Sequence, residues 1–188
     1  RQLQASDWTF QVDYSHRENN KGYMYDARVR PSTRLNYMKK TDAKEEIPGK
    51  SRQAVENIYE YCRKNNAKLV LISTPSTAYW NYKRHNSVAE LAESLGVEYV
   101  DMNLINDQVG IEWSTDTRDR GMHMNIYGAR KCSAFLGAYL AKTEQFQDKR
   151  KDASYADWFD ALEAFNESTD NALDRPSPEP EDDTKKAN

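Results

Sequence analysis

Residues 113–129 read WSTDTRDRGMHMNIYGA, and the rest of the chain is organised around this stretch. It is a polar loop that carries Asp119 and His123 and ends where an amphipathic pattern begins. Asn125 is one of the residue types that cap helix N-termini, so we predict a helix over 125–141 that starts there. Apolar residues recur along it with helical spacing, at Cys132, Phe135, Leu136 and Tyr139.

The pair formed by Asp119 and His123 has two interpretations. An imidazole can accept a proton from a hydroxyl group, while a neighbouring carboxylate fixes its tautomer and stabilises the imidazolium that forms. The two residues would then be half of a Ser-His-Asp triad, with Asp116 as a second candidate for the acid. Alternatively, a histidine beside a helix cap is a turn or surface residue. The local sequence leaves both interpretations open.

The composition argues against some classes of partner. The 30 acidic and 27 basic residues give a net charge of −3, so the chain lacks the positive field that nucleic acid or an anionic membrane attracts. No apolar run is long enough to cross a bilayer. Cys62 and Cys132 fall on the apolar faces of predicted helices, without a CxxC or metal-binding spacing. We predict that both are small apolar residues of the interior.

Helices and strands alternate along the middle of the chain. The predicted elements are a helix over about 51–65, a strand over 68–73, a helix over 86–95, a strand over 97–102 and the helix over 125–141. The run at 68–73 is almost wholly apolar, as in a strand buried on both faces. This rhythm predicts an α/β fold with a mostly parallel sheet between layers of helices.

The chain divides into three regions on this interpretation. Residues 1–47 lack periodicity and are predicted to be irregular, residues 48–166 hold the α/β elements, and residues 167–188 form an acidic, proline-rich tail predicted to be disordered. Two parallel strands rarely make a stable sheet alone. We therefore expect the sheet to be incomplete in this chain.

Ser76 lies in the polar segment that follows the first predicted strand. In open parallel sheets, ligands bind outside the carboxyl ends of the strands, so Ser76 is a candidate substrate contact. It is also the kind of residue that simply makes a turn.

The order of these elements and several short blocks resemble the C-terminal half of SGNH/GDSL-type hydrolases. The similarity covers about residues 48–166 and is closest to a bacterial, clostridial-like group related to acyl-modifying proteins of cell walls and polysaccharides. The blocks that carry it are LVLISTPS at 69–76, GVEYVDMN at 96–103, GIEWSTDTRD at 110–119 and HMNIYGA at 123–129.

The resemblance implies a flavodoxin-like, three-layer sandwich and a Ser-His-Asp site. His123 would be the general base, Asp119 the acid that orients it, and Ser76 and Asn125 substrate contacts. The reaction would be hydrolysis or transfer of acyl esters on cell-surface glycans, with no cofactor and no metal ion, at a location outside the cytoplasm.

Two features depart from the pattern of this family. The acid usually stands three residues before the histidine, where this chain has Arg120, and no Gly-Asp-Ser block that would carry the nucleophile is present. We therefore expect an N-terminal part of the same protein to supply the nucleophile and to complete the sheet. The alternative is a non-catalytic polysaccharide-binding or assembly module of the same fold. A metal site at Asp116, Asp119 and His123 is a third, weaker alternative because it offers one imidazole and no thiolate.

Overall fold

A computed structural model of the protein describes Tyr23 and residues 25–143, 146–149 and 151–173. By their contacts these residues divide into two compact units, one over residues 25–146 and one that contains residues 147–173 and Tyr23. Most of the N-terminal segment and of the acidic tail lies outside the described residues. Residues 167–173 of the predicted tail are described and are helical. The division into three regions otherwise stays a prediction.

The first unit is a mixed α/β structure with a small parallel sheet, which confirms the coarse fold class. Its elements, in order, are α1 (Gly49–Lys64), β1 (Val70–Ser73), α2 (Tyr82–Leu95), β2 (Glu98–Asp101), α3 (Asn106–Val109) and α4 (Ile126–Thr143). The helices and strands predicted from periodicity are all present. The single-turn α3 is not foreseen by the sequence analysis, because four residues are too few for a helical period to show.

Helix α2 begins four residues earlier than periodicity predicts. The side chain of Asn81 accepts a hydrogen bond from the N–H of Arg84 at 3.0 Å and so caps a first turn that has no apolar stripe. The helix ends as predicted at Gly96, whose φ of 65° lies in the left-handed region.

The two strands pair in parallel, with Val70 opposite Glu98 and Ser73 opposite Asp101. Among the described residues no further strand joins them. The prediction that β1 is buried on both faces is wrong, since Val70 and Leu71 are half-buried and Ile72 is 38% exposed. The physical reason is that both faces of a strand are buried only where helices pack over them, and α1, the helix that precedes β1, has no buried side chain.

The core of this unit lies beyond the carboxyl end of β2. Met102, Val109 and Ile111 are buried together, and half-buried apolar residues of α4 and of the loop before it pack against them. Cys132 belongs to this group. Helix α4 is therefore fixed in place at the end that follows the loop with Asp119 and His123.

An extended segment, residues 26–32, runs beside that loop although no strand is assigned to it. Its backbone exchanges hydrogen bonds with the loop at regular intervals: Arg30 N–H to the Thr117 carbonyl at 2.8 Å, and Ser32 N–H to the Trp113 carbonyl at 2.8 Å. The N–H of Ile126 binds the Asp26 carbonyl at 2.9 Å. The segment read as irregular from sequence thus holds the loop in place.

The second unit is mainly helical. A short 3₁₀ turn, Ala153–Tyr155, leads into α5, Ala156–Leu173, and the Asp152 side chain accepts a hydrogen bond from the N–H of Ser154 at its start. Tyr23 packs edge-on against Phe165, with ring centroids 5.7 Å apart. Across the described residues, no helix combines the length and the apolar character needed to cross a membrane.

Candidate functional site

The loop with the predicted acid and histidine is closed on itself by backbone hydrogen bonds. Thr117 and Met124 form an antiparallel bridge, and the N–H of Arg118 binds the carbonyl of His123 at 3.2 Å. The chain reverses at Arg120 and Gly121, both with positive φ. We refer to residues 117–124 as the histidine loop. Its closure fixes the two residues that lie four positions apart within it.

Asp119 and His123 are in direct contact. The Nδ1 atom of His123 lies 2.5 Å from Oδ2 of Asp119, and the His123 backbone N–H donates to Oδ1 at 2.7 Å. An ionised carboxylate only accepts hydrogen bonds, so this contact places a proton on Nδ1 and leaves Nε2 as the acceptor in the neutral ring. The histidine side chain is 54% exposed, so the ring is not enclosed by the protein.

The surroundings of this pair are partly cationic. The Arg118 side chain lies 3.8 Å from Asp119 and 3.9 Å from Asp26. The hydrogen bond from the Arg28 side chain holds the pKa of Asp26 below its usual range, so this second carboxylate stays ionised at neutral pH. Tyr79 stands edge-on to the His123 ring at 6.1 Å.

Asp116, the other candidate acid, is engaged elsewhere. It is buried and accepts hydrogen bonds from the Glu112 N–H at 2.8 Å, from Thr115 Oγ1 at 2.9 Å and from Lys131 Nζ at 2.7 Å. Of the two candidates, Asp119 is the one that contacts His123. Within the described residues, no three histidine, cysteine or acidic side chains cluster closely enough to hold a metal ion.

Ser76 ties the end of β1 to the histidine loop. Its hydroxyl donates to the carbonyls of Gly121 and Met122, at 2.9 and 3.1 Å, and accepts from the N–H of Tyr79 at 3.1 Å. The residue is buried, so its hydroxyl is used to hold the loop. A contact of Ser76 with a substrate stays a prediction.

Asn125 caps α4, as predicted, and is almost fully buried. Its Oδ1 accepts from the N–H groups of Tyr127 and Gly128, while its Nδ2 donates to the carbonyls of Arg28 at 3.0 Å and Thr115 at 2.7 Å. Both ends of the amide therefore hold the backbone around the loop. Its predicted contact with a substrate remains untested.

Gly121 lies at the tightest point of the loop. Its φ is 91°, and a β-carbon added to it would stand 1.9 Å from Oγ1 of Thr77 and 2.8 Å from Oγ of Ser32. Those two hydroxyls, both buried, are bonded to each other at 2.5 Å. Only glycine combines this backbone conformation with this close approach.

A second acid–histidine pair, which the sequence analysis does not predict, stands at the carboxyl end of β2. Asp101, whose side chain is 3% exposed, accepts from Nδ1 of His85 at 2.8 Å, from Trp80 Nε1 at 2.9 Å and from the Tyr99 hydroxyl at 3.1 Å. The His85 ring is stacked on Tyr99 and is only 18% exposed. This pair is a packed polar network, in contrast to the exposed pair at His123.

Sixteen residues separate His85 from Asp101, so no local motif relates them. Asp101 could have been singled out as a polar residue at the carboxyl end of a strand. His85 gives no such signal, because it lies in the first turn of α2, which has no apolar period.

The chain matches no model of a known protein family, no curated protein and no solved structure. The structure itself defines a mixed α/β protein. An exposed histidine, oriented by a carboxylate, lies in a loop that is bonded to the carboxyl end of its parallel sheet.

Proposed function

We propose that this chain supplies the base and the acid of a Ser-His-Asp site that cleaves or transfers acyl esters of cell-surface glycans. The observation that carries the proposal is the contact of His123 with Asp119 at 2.5 Å, combined with a histidine side chain that is 54% exposed. A triad needs both groups, because a hydroxyl is a weak nucleophile until a base takes its proton, and the acid orients that base.

Each residue has a defined step in this mechanism. Nε2 of His123 takes the proton of the nucleophilic hydroxyl as its oxygen attacks the ester carbonyl. Asp119 keeps the ring in the required tautomer and stabilises the imidazolium. The proton then passes to the departing sugar oxygen, and an acyl-enzyme remains. Water releases the acyl group as a carboxylic acid, or a second sugar hydroxyl takes it as a new ester, with His123 again accepting the proton.

The nucleophile in this proposal comes from outside the described residues. Ser76 is a poor candidate, because its hydroxyl is buried and already donates to the histidine loop. The edge of β1 is open among the described residues. Helix α1 has no buried side chain, and its apolar residues Ile58 and Tyr61 are strongly exposed. These exposed apolar surfaces are what an additional strand and helix layer would cover.

An additional strand beside β1 would also place its following loop near the site. Parallel strands end at one edge of the sheet, and the segment after β1 is bonded to the histidine loop through Ser76. A hydroxyl carried on that additional loop would therefore lie on the His123 side of the sheet. The complete fold would be the flavodoxin-like, three-layer sandwich with an N-terminal part of the protein as its missing layer.

Acetate release from an O-acetylated polysaccharide tests the proposal, with the protein at the full length that its gene encodes. His123→Asn keeps an amide nitrogen near the position of Nδ1 and removes Nε2, so kcat/KM should fall by about 10²–10⁴-fold. Asp119→Asn should also lower it, because the amide favours the wrong tautomer.

His85→Asn is the matched control, since it makes the same change in the other acid-paired histidine. It should leave kcat within about threefold of the unsubstituted protein, because the His85 ring packs and takes no part in the proton transfer. Unchanged acetate release by the His123→Asn protein would contradict the proposal.

The second candidate is a glycan-binding or assembly module without catalysis. One observation favours it: no serine or threonine hydroxyl of the described residues is bonded to His123. A module of this kind would bind the polysaccharide and release no acyl group, and His123→Asn would leave binding unchanged.

A further inference from the structure

An open cleft of about 500 Å³ lies between residues 37–45 and the start of α2. Its volume is within the range of small-molecule sites. Its lining includes Tyr37, Lys39, Lys40, Glu45, Tyr82 and Lys83. We refer to it as the lysine cleft.

The lysine cleft is cationic although the chain as a whole is acidic. Lys39, Lys40 and Lys83 are exposed, and none of them forms an ion pair with a carboxylate of the described residues. The acid in the cleft, Glu45, is bound by Arg84 at 2.7 Å. That pair contributes little net charge, so the charges of the three ammonium groups remain uncompensated in the cleft, although the whole chain has a net charge of −3. A local field of this sign attracts anions.

Two tyrosine rings of the cleft are held in fixed orientations. Tyr37 packs edge-on against Trp113 at 5.5 Å, and its hydroxyl donates to Oδ1 of Asn103 at 3.1 Å. Tyr82 packs edge-on against His85 at 5.3 Å. Rigid tyrosines supply contact area to a ligand with little loss of conformational entropy. A sugar ring, which has apolar faces and polar edges, suits such a wall.

The lysine cleft and the histidine loop are joined by one short segment, residues 76–82. At its start Ser76 is bonded to the carbonyls of Gly121 and Met122, and Tyr79 contacts the ring of His123. At its end Tyr82 lines the cleft. Arg84 is bonded to the Tyr79 carbonyl, which holds the segment against α2. The segment that lines the cleft at Tyr82 therefore also makes the contacts to the histidine loop and to His123.

We propose that the lysine cleft binds a sugar unit with an anionic substituent, a carboxylate or a phosphate, and that the glycan substrate is an acidic one. As a statement about the substrate, this rests on the proposed function. The lysine ammonium groups pair with the anionic substituent, and the tyrosine rings contact the sugar.

Nucleic acid fits these observations less well. A nucleic acid carries a phosphate at every nucleotide, so the phosphates outside the cleft would meet the field of a chain with a net charge of −3. A glycan in which only some sugar units carry an anionic substituent places that charge on the three lysines and neutral units elsewhere, and the cleft has room for one or a few such units.

Titration calorimetry with two anionic probes and one neutral probe tests the proposal. The probes are a galacturonate trimer, glucose 6-phosphate and a galactose trimer, and the protein is the His123→Asn variant at full length, so that catalysis cannot consume a ligand. We expect the protein to bind at least one anionic probe, more weakly as salt is added, and to bind the neutral trimer at least tenfold less tightly. The two anionic probes distinguish a carboxylate from a phosphate.

The triple variant K39A/K40A/K83A should weaken binding by about 10- to 100-fold, since each exposed ion pair contributes about two- to fivefold. The charge-matched control K50A/K64A/K142A removes three exposed lysines that do not line the cleft, and it should bind as the parent protein does. Tyr82→Ala should weaken binding of the trimer and leave the salt dependence unchanged.

Several results would overturn the proposal. They are no binding of either anionic probe, equal binding of the neutral trimer, equal losses in the two triple variants, and tighter binding of a single-stranded oligonucleotide than of both anionic probes. Failure of the proposed chemistry gives a different result. In that case anionic sugars bind through the three lysines, while the unsubstituted protein releases no acyl group.

Discussion

Replacement of Gly121 by alanine should destabilise the protein through two separable effects. An alanine at φ 91° adopts a backbone conformation that costs about 1–2 kcal/mol. Its β-carbon would also stand 1.9 Å from Oγ1 of Thr77, and relief of that overlap requires the buried Thr77 and Ser32 hydroxyls to separate. Overpacking of this kind costs about 1–3 kcal/mol. The free energy of unfolding should therefore fall by about 2–5 kcal/mol in total.

Two other glycines provide matched controls for this substitution. Gly96 also has a positive φ, of 65°, but a β-carbon there meets nothing within 4 Å, so Gly96→Ala should show the backbone cost of about 1–2 kcal/mol alone. Gly137 lies within α4 in open space, and Gly137→Ala should stabilise the protein by up to about 1 kcal/mol. Urea denaturation of the three variants, with unchanged slopes, gives the comparison. Equal losses for Gly121→Ala and Gly96→Ala would refute the packing of the loop tip against Thr77.

Three further predictions concern α4 and the residues before it. Asn125→Ala should lower the free energy of unfolding by about 2–4 kcal/mol in urea denaturation, because α4 loses its cap and two backbone carbonyls lose a donor; a loss below about 1 kcal/mol would contradict this. Burial raises the pKa of Cys132 to about 11. At pH 8 its alkylation by iodoacetamide, measured by mass spectrometry, should therefore be about 100-fold slower than that of an unstructured peptide thiol. Equal rates would show that the thiol is exposed. Burial lowers the pKa of Lys131, but the hydrogen bond and charge of Asp116 outweigh it and leave the pKa raised. A lysine whose pKa is raised in the folded protein contributes stability that is complete below its unfolded-state pKa and is lost as the pH rises through its folded-state pKa. The thermal midpoint should therefore fall at strongly alkaline pH. The variant Lys131→Met should reduce this decline.

The helices and strands follow from local sequence, since each has either a helical period of apolar residues or a short apolar run. One boundary, the start of α2, does not follow from the apolar period. Helix α2 starts at a cap formed by Asn81, and its first turn carries Tyr82, Lys83 and Arg84, which have no apolar period. Capping chemistry decided that boundary, and the periodicity did not show it.

The exposure of β1 could not be read from its own residues. An apolar run such as Val70–Ser73 is typical of a strand covered on both faces, but the covering layers belong to the rest of the fold. Among the described residues, α1 has no buried side chain and so leaves β1 poorly covered. The type of the element follows from its own residues, whereas its burial depends on the layers that pack against it.

The two acid–histidine pairs show what spacing can reveal about a site. Asp119 and His123 are four residues apart in a loop, so the sequence alone suggested the contact that the structure shows. His85 lies in the first turn of α2 and Asp101 at the end of β2, and they meet because α2 packs against β2. The lysine cleft was missed for the same reason, since it combines residues 37–45 with the start of α2.

The central claim is that Asp119 holds the ring of His123 with Nε2 free to accept a proton. Nitrogen-15 NMR of the three histidines, assigned with the His85→Asn and His123→Asn variants, measures this directly through the imidazole nitrogen shifts. The neutral ring of His123 should carry its proton on Nδ1 with Nε2 unprotonated, and Asp119→Asn should remove this preference. A neutral His123 ring with its proton on Nε2, or one insensitive to Asp119→Asn, would contradict the account.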